Sequence, residues 1–233
     1  MCRITQSCLL PFSVALLMAT DASWQTKPIS QWNANDAKQV LSNSPWVKRA
    51  VVAMLPQRSE AQMRDGGRMG MGQGAGLGAL DPSILTGLGG GKHLVPKPQK
   101  RQTLLVRWES ASAIRSAELK AGDERAPAWD GDYYAIAVYD VPGLEDQKTL
   151  PVELKKSAFL RRDRRKDLKP ARVVLLFDEN LATVVYLFPR SEEITKEDKQ
   201  IWFVAQIGRM YVAQSFHTEE MQFQGKLELA TAR

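Results

Sequence analysis

The chain has 233 residues, a formal net charge of +6, 44% hydrophobic residues, two cysteines and two histidines. Both cysteines, Cys2 and Cys8, lie in the first eight residues. Everything downstream therefore lacks a disulfide framework, a thiolate nucleophile and a cysteine metal site. The sequence contains no GxSxG elbow and no CxxCH haem-attachment motif, which excludes the common serine-hydrolase and c-type haem signatures.

The start of the chain has the order of a secretory signal: Arg3, an apolar run from Cys8 to Met18, then the small residues Ala19, Thr20 and Ala22. The apolar run is shorter than the ~20 residues a membrane span requires. Cleavage after Ala22 is the expected processing step. The sequence thus points to a periplasmic or secreted protein with no transmembrane span in its mature part.

The first expected element is a short helix in 32–41, with Asn33 accepting from the N–H of Asp36 and Asp36 facing the positive helix end. Pro45 ends it. Trp46 to Leu55 reads as one strand centred on Val51 and Val52. Residues 65–92 then hold eleven of the sixteen glycines, the composition of a flexible insertion or linker. A phosphate loop ending at Lys92 would need Gly at 86 and Ser or Thr at 93. The chain has Thr86 and His93 there, so that motif is absent.

Thr103–Trp108 predicts a strand. Ser110 is placed to cap a helix from Ala111 to Ala121, with Gly122 to end it. Tyr133–Tyr139 reads as a strand stopped at Asp140. Pro151 opens a basic helix, VELKKSAFLRR, with Leu154, Ala158 and Val152 on its inward face. Val173–Phe177 and Ala182–Phe188 read as a hairpin about Asp178-Glu179-Asn180, and Ile201–Ile207 with Met210–Phe216 as a second about Gly208-Arg209. From Met221 to Leu229 apolar and polar residues alternate strictly, the pattern of a strand with one wet face. These elements sum to about eight strands and three short helices, an α+β protein dominated by antiparallel sheet or sandwich. Its expected organisation is a signal peptide (1–22), an N-terminal helix and strand (23–64), a Gly-rich insertion (65–102) and a β-rich body (103–233) that forms one domain with 23–64.

The strings DAKQVLSNSPW (36–46), VRWESASAIRSA (106–117), LFPRSEEITKEDK (187–199) and MQFQGKLEL (221–229) together resemble an uncharacterised family of exported bacterial proteins. The resemblance implies a secreted single-domain protein and carries no functional residues.

The strongest electrostatic signal is Lys155, Lys156, Arg161, Arg162, Arg164, Arg165, Lys166, Lys169 and Arg172 against only Asp163 and Asp167. Such a patch suits anionic lipid headgroups or a cell-wall polymer. Export argues against nucleic acid as the physiological partner, and no aromatic residue follows Phe159 within the segment to stack bases. A solvated basic face is the competing reading. Trp24, Trp32 and Trp129 lie near loops and are candidates for a sugar-stacking platform, while Trp46, Trp108 and Trp202 are expected in the core. A hydrolase would need two carboxylates, for which Glu109, Asp130, Asp132, Asp178 and Glu179 are the candidates. His217 with Glu219 and Glu220 supplies metal-ligand types, but consecutive residues of an extended chain point to opposite faces. The sequence therefore supports no cofactor and no metal. Its function expectation is an exported non-enzymatic binding or structural protein of the bacterial envelope, the alternative being a cofactor-free hydrolase of envelope polymers.

Overall fold

A computed structural model describes residues 23–55, 102–144 and 150–230. The expected signal peptide, its cleavage site and the glycine-rich stretch lie outside the described residues. The rest is α+β and mostly antiparallel sheet. The helices are α1 (Ser23–Thr26), α2 (Ala34–Ser42), α3 (Ser112–Ala121) and α4 (Leu150–Lys156). A five-stranded sheet is built from β1 (Val47–Val51), β3 (Thr103–Trp108), β4 (Tyr133–Pro142), β7 (Leu181–Pro189) and β6 (Arg172–Asp178), in that order. A four-stranded sheet has the order β2 (Ala53–Met54), β9 (Met210–His217), β8 (Gln200–Ile207), β5 (Ala158–Arg162). A small hairpin of β10 (Gln222–Phe223) and β11 (Lys226–Leu227) completes the set.

The sheets face each other as a sandwich. Alternate residues of each strand point inward, so Val106, Trp108, Ile136, Tyr186 and Phe188 of one sheet share a buried cluster with Leu160, Phe203, Ile207, Val212 and Phe216 of the other. Aromatic edges lock the layers together: Trp108 meets Phe216 at 5.3 Å and Tyr186 meets Phe203 at 5.3 Å. Helix α2 packs on α3, and their small faces, Ala37 and Val40 with Ala113 and Ala117, join the same cluster. No described helix is long and apolar enough to cross a membrane.

Several elements follow the sequence closely. Asn33 caps α2 by accepting from Asp36 N at 2.9 Å, and Asp36 returns the bond to Asn33 N at 3.1 Å, completing a capping box. Gly122 ends α3 in the left-handed region at φ 62°. The β6–β7 and β8–β9 hairpins form where the alternation placed them.

Other elements differ. The expected strand 46–55 is two strands: β1 pairs with β3 and β2 with β9, the chain passing between sheets at the buried Val52. Ser110 does not cap α3; it is buried, donates to Leu229 O and receives the N–H of Ala135 at 3.1 Å. Two buried backbone groups outbid the helix end for that hydroxyl. Strand β4 continues past Tyr139 to Pro142, because a bulge with Asp140 at φ 58° resets the register instead of ending it.

The basic helix ends at Lys156. Residues 158–162 form β5 against β8, with Ala158, Leu160 and Arg162 inward, while Val152 is exposed. Pairing with β8 and the Leu160–Leu168 bridge satisfy the backbone of 158–162 in an extended form, so the helix stops short of it. The alternating terminal stretch is likewise not one strand. Gln224 and Gly225 take φ 49° and 76°, a primed turn that folds β11 back on β10. Among the described residues there are eleven strands where about eight were expected.

Candidate functional site

Strand β5 sorts the basic segment into two groups. Its even-numbered Arg162 points into the sandwich, where its side chain is buried, donates to Glu192, and reaches Lys166 O at 3.0 Å. Arg165 lies 3.4 Å from the buried Asp198 and bonds Glu193 O at 3.1 Å. Arg172 holds Asp130 at 2.7 Å. These three cations are committed within the molecule.

The other group faces outward. Arg161 sits with its guanidinium carbon 5.1 Å from the Phe159 ring centre, and Lys169 Nζ lies 4.8 Å from the same ring. Lys155 and Lys156 are exposed in the last turn of α4. Arg164 and Lys166 are exposed in the turn after β5. The acids nearest Arg161 and Arg164 are Asp167 and Asp163, each at 3.7 Å and each solvated, so little of this charge is neutralised. These six favoured residues are therefore at least partly open to solvent, and two of them, Arg161 and Lys169, meet over the Phe159 ring.

The sheet adds aromatics from β8 and β9 to the segment's own Phe159. Phe159, Val204 and Tyr211 form a cluster on its outer face, with Trp202, Ala53, Leu55 and Ala213 packed against it. Trp202 is directly opposite Arg161 in the β5–β8 register and is only half-buried. Sequence reasoning assigned Trp202 to the core and the platform to Trp24, Trp32 and Trp129. Trp24 and Trp32 are instead buried against Trp46 and Phe223, and Trp129 is half-buried under the Arg115 guanidinium at 4.8 Å. Each lies near a loop in sequence but is covered by residues distant along the chain, a relation that no local pattern carries.

The acidic candidates are mostly engaged. Asp130 and Asp132 are held by Arg172 and Arg190. The Arg172 hydrogen bond draws the Asp130 carboxyl below the usual carboxylate range. Glu109 is wholly buried in a charge cluster centred on Arg107. Arg107 reaches Glu109 through Nε at 2.5 Å, Glu118 through Nη2 at 2.9 Å and Asp123 through Nη1 at 3.1 Å, and Nη2 also donates to the Tyr139 hydroxyl. That hydroxyl donates to Glu109 at 2.6 Å, and Arg115 holds the far oxygen of Glu118 at 2.7 Å. Burial, and next the Glu109 charge, push Glu118 up to about 9.

One open cavity of about 520 Å³ lies at the β6–β7 turn. Asp140 and Asp178 line it with Glu124, Arg125 and the half-exposed Leu176 and Leu181. Arg125 and Asp140 pair there at 3.1 Å, so two of its four charged side chains cancel. His217 pairs with Gln200 along the sheet. Among the described residues no group of three or more His, Cys, Asp or Glu is placed to hold a metal ion. Comparison with protein-family models, with curated proteins and with solved structures finds no match to this chain.

Proposed function

We propose that this chain is an exported, non-enzymatic binding protein of the bacterial envelope that contacts an anionic surface or polymer through Lys155, Lys156, Arg161, Arg164, Lys166 and Lys169. The signal-like start supports export. The observation that carries the binding reading is a contrast within the segment: Arg162, Arg165 and Arg172 pair with Glu192, Asp198 and Asp130, while Arg161 and Arg164 lie 3.7 Å from their nearest acids and Arg161 and Lys169 share the Phe159 ring. Like charges gathered in this way repel modestly, and an anionic partner converts that repulsion into attraction by displacing their counterions.

Co-sedimentation with anionic vesicles and with cell-wall polymer, at low and at physiological salt, tests the reading. Binding should weaken steeply with salt, and replacing Arg161, Arg164, Lys166 and Lys169 by Gln should abolish most of it. Absence of binding to any polyanion at physiological salt would make the segment a solvated face. N-terminal sequencing of protein recovered outside the cytoplasm tests export, with Ser23 the expected first residue.

A further inference from the structure

The outer face of the four-stranded sheet joins two features in one place. Its cations, Arg161 and Lys169, are both seated on the Phe159 ring. Its half-buried indole, Trp202, is the cross-strand partner of Arg161, and directly paired side chains on one sheet face have Cβ atoms about 5 Å apart. Trp202 alternates with the inward Ile201 and Phe203, so it stands on the outside. Tyr211, one strand further on, is buried in the same cluster and backs the Phe159 ring's side of the sheet.

We propose that the ligand of this face is an acidic glycan, a polymer whose sugar rings stack on Trp202 while its carboxylate or sulfate groups meet Arg161 and Lys169. This rests on the anion-binding reading above and narrows it. A sugar presents an apolar C–H face and a polar rim, and an indole beside fixed cations complements both at once. Stacking on Phe159 holds the two cations in place before the ligand arrives, which lowers the side-chain ordering cost of binding.

Two other polyanions fit less well. A bilayer surface would be gripped by inserting apolar side chains, yet Phe159, Val204 and Tyr211 are only 3%, 4% and 6% exposed. Of the large apolar residues that are exposed, Leu119, Phe177 and Leu181 lie on other elements, Met54 is on the short edge strand β2, and Val152 is on α4. A bare polyphosphate would use the cations and leave Trp202 idle.

The test is calorimetric titration of the purified protein with oligogalacturonate, with polyphosphate of matched charge, and with vesicles containing one-third phosphatidylglycerol. Oligogalacturonate should bind the most tightly. Trp202→Thr, which keeps strand propensity, should weaken oligogalacturonate roughly fivefold and leave polyphosphate unchanged. Arg161→Gln with Lys169→Gln should weaken both by about tenfold or more at low salt. The wild-type comparison needs no variant, so it decides even if Trp202→Thr does not fold. Equal binding of polyphosphate and oligogalacturonate would overturn the glycan and leave anion binding standing. Vesicle binding without polymer binding would overturn it in favour of a membrane surface. Failure of all three ligands would remove the anion-binding reading as well.

Discussion

Arg107 and Glu109 stand two residues apart at the end of β3 and are both buried, joined Nε to Oε1 at 2.5 Å. Arg107 lies on the outer side of the five-stranded sheet, where side chains commonly meet water. Here α3 and the segment after it close over that side, bringing Glu118 and Asp123 onto the remaining guanidinium nitrogens. One arginine thus ties β3, β4, α3 and the following turn together. Burial acts to lower its pKa, but Glu109, Tyr139 and Glu118 outweigh burial and hold it above the normal arginine range.

Removing that arginine should be among the most damaging single changes in the protein. Arg107→Ala leaves Glu109 buried without its counter-charge, and losing one partner of a buried pair costs about 3–5 kcal/mol. Arg107→Lys keeps the charge but offers no fork to reach three carboxylates, so it should fall between wild type and alanine. Urea denaturation of the three proteins gives the order directly. An alanine variant as stable as wild type would show that the network contributes nothing.

The same cluster predicts a pH dependence. Glu118 lies within hydrogen-bonding reach of Glu109, and two carboxylates can share a hydrogen bond only through a proton. With that proton in place, Arg107 and Arg115 balance Glu109 and Asp123. Because the folded value is raised, the native state binds more protons than the unfolded chain between 4.5 and about 9. Stability from this group is therefore full below the lower value and is lost as pH rises through the window. Glu118→Gln should flatten that slope, so wild type loses stability relative to the variant as the buffer is made alkaline. Parallel slopes in thermal melts across the window would contradict the shared proton.

How much of this was legible follows from the range of each signal. The Asn33 cap on the N–H of Asp36, the strand Thr103–Trp108 and both long hairpins are local patterns, and they form as read. Ser110 looked equally local, yet its hydroxyl serves Leu229 and Ala135, 119 and 25 residues away. The stretch Met221–Leu229 shows the opposite failure. Met221, Phe223 and Leu229 are buried as the alternation implied, but Gln224-Gly225 reverses the chain between them. Arg161 and Arg162 were indistinguishable within a helix and become opposites once 158–162 is a strand. The aromatic face missed by sequence reading is assembled from β5, β8 and β9, whose pairing only the fold specifies.

The folded body should begin immediately after the expected signal. Trp24 is 2% exposed, packed on Trp32 at 6.1 Å, Trp46 at 6.0 Å and Phe223 at 6.4 Å. Trp24→Ala should cost about 3–5 kcal/mol, as for other large aromatic truncations in cores. A chain starting at Ser23 should melt like the full-length chain, whereas one starting at Pro28 should be much less stable. Nearby, the Ser23 hydroxyl, the Asn33 N–H and Lys27 hold Asp36 down to about 2. Its contribution is therefore present above the normal aspartate value and is lost only as pH falls through 3.8 towards 2. Asp36→Asn should narrow its stability gap to wild type across that acid range.

The last prediction separates two adjacent arginines. Arg161 lies on the outer face among cations and aromatics, and its nearest acid, Asp167, is 3.7 Å away. Arg161→Gln should leave stability within about 0.5 kcal/mol, as for surface changes generally, while lowering affinity for polyanions. Arg162 is buried with Nε and Nη1 lacking hydrogen-bond partners, and its acid Glu192 stays 53% exposed. Removing Arg162 therefore strands no buried carboxylate, and an apolar side chain of similar length relieves two unpaired N–H groups. Arg162→Met should fold with stability within about 1 kcal/mol of wild type, or above it. It should bind polyanions as wild type does, because a side chain sealed inside the sandwich cannot meet an external ligand. Paired denaturation and sedimentation of the two variants tests both statements. Loss of polyanion binding in folded Arg162→Met, with binding retained in Arg161→Gln, would reverse the assignment of faces along β5.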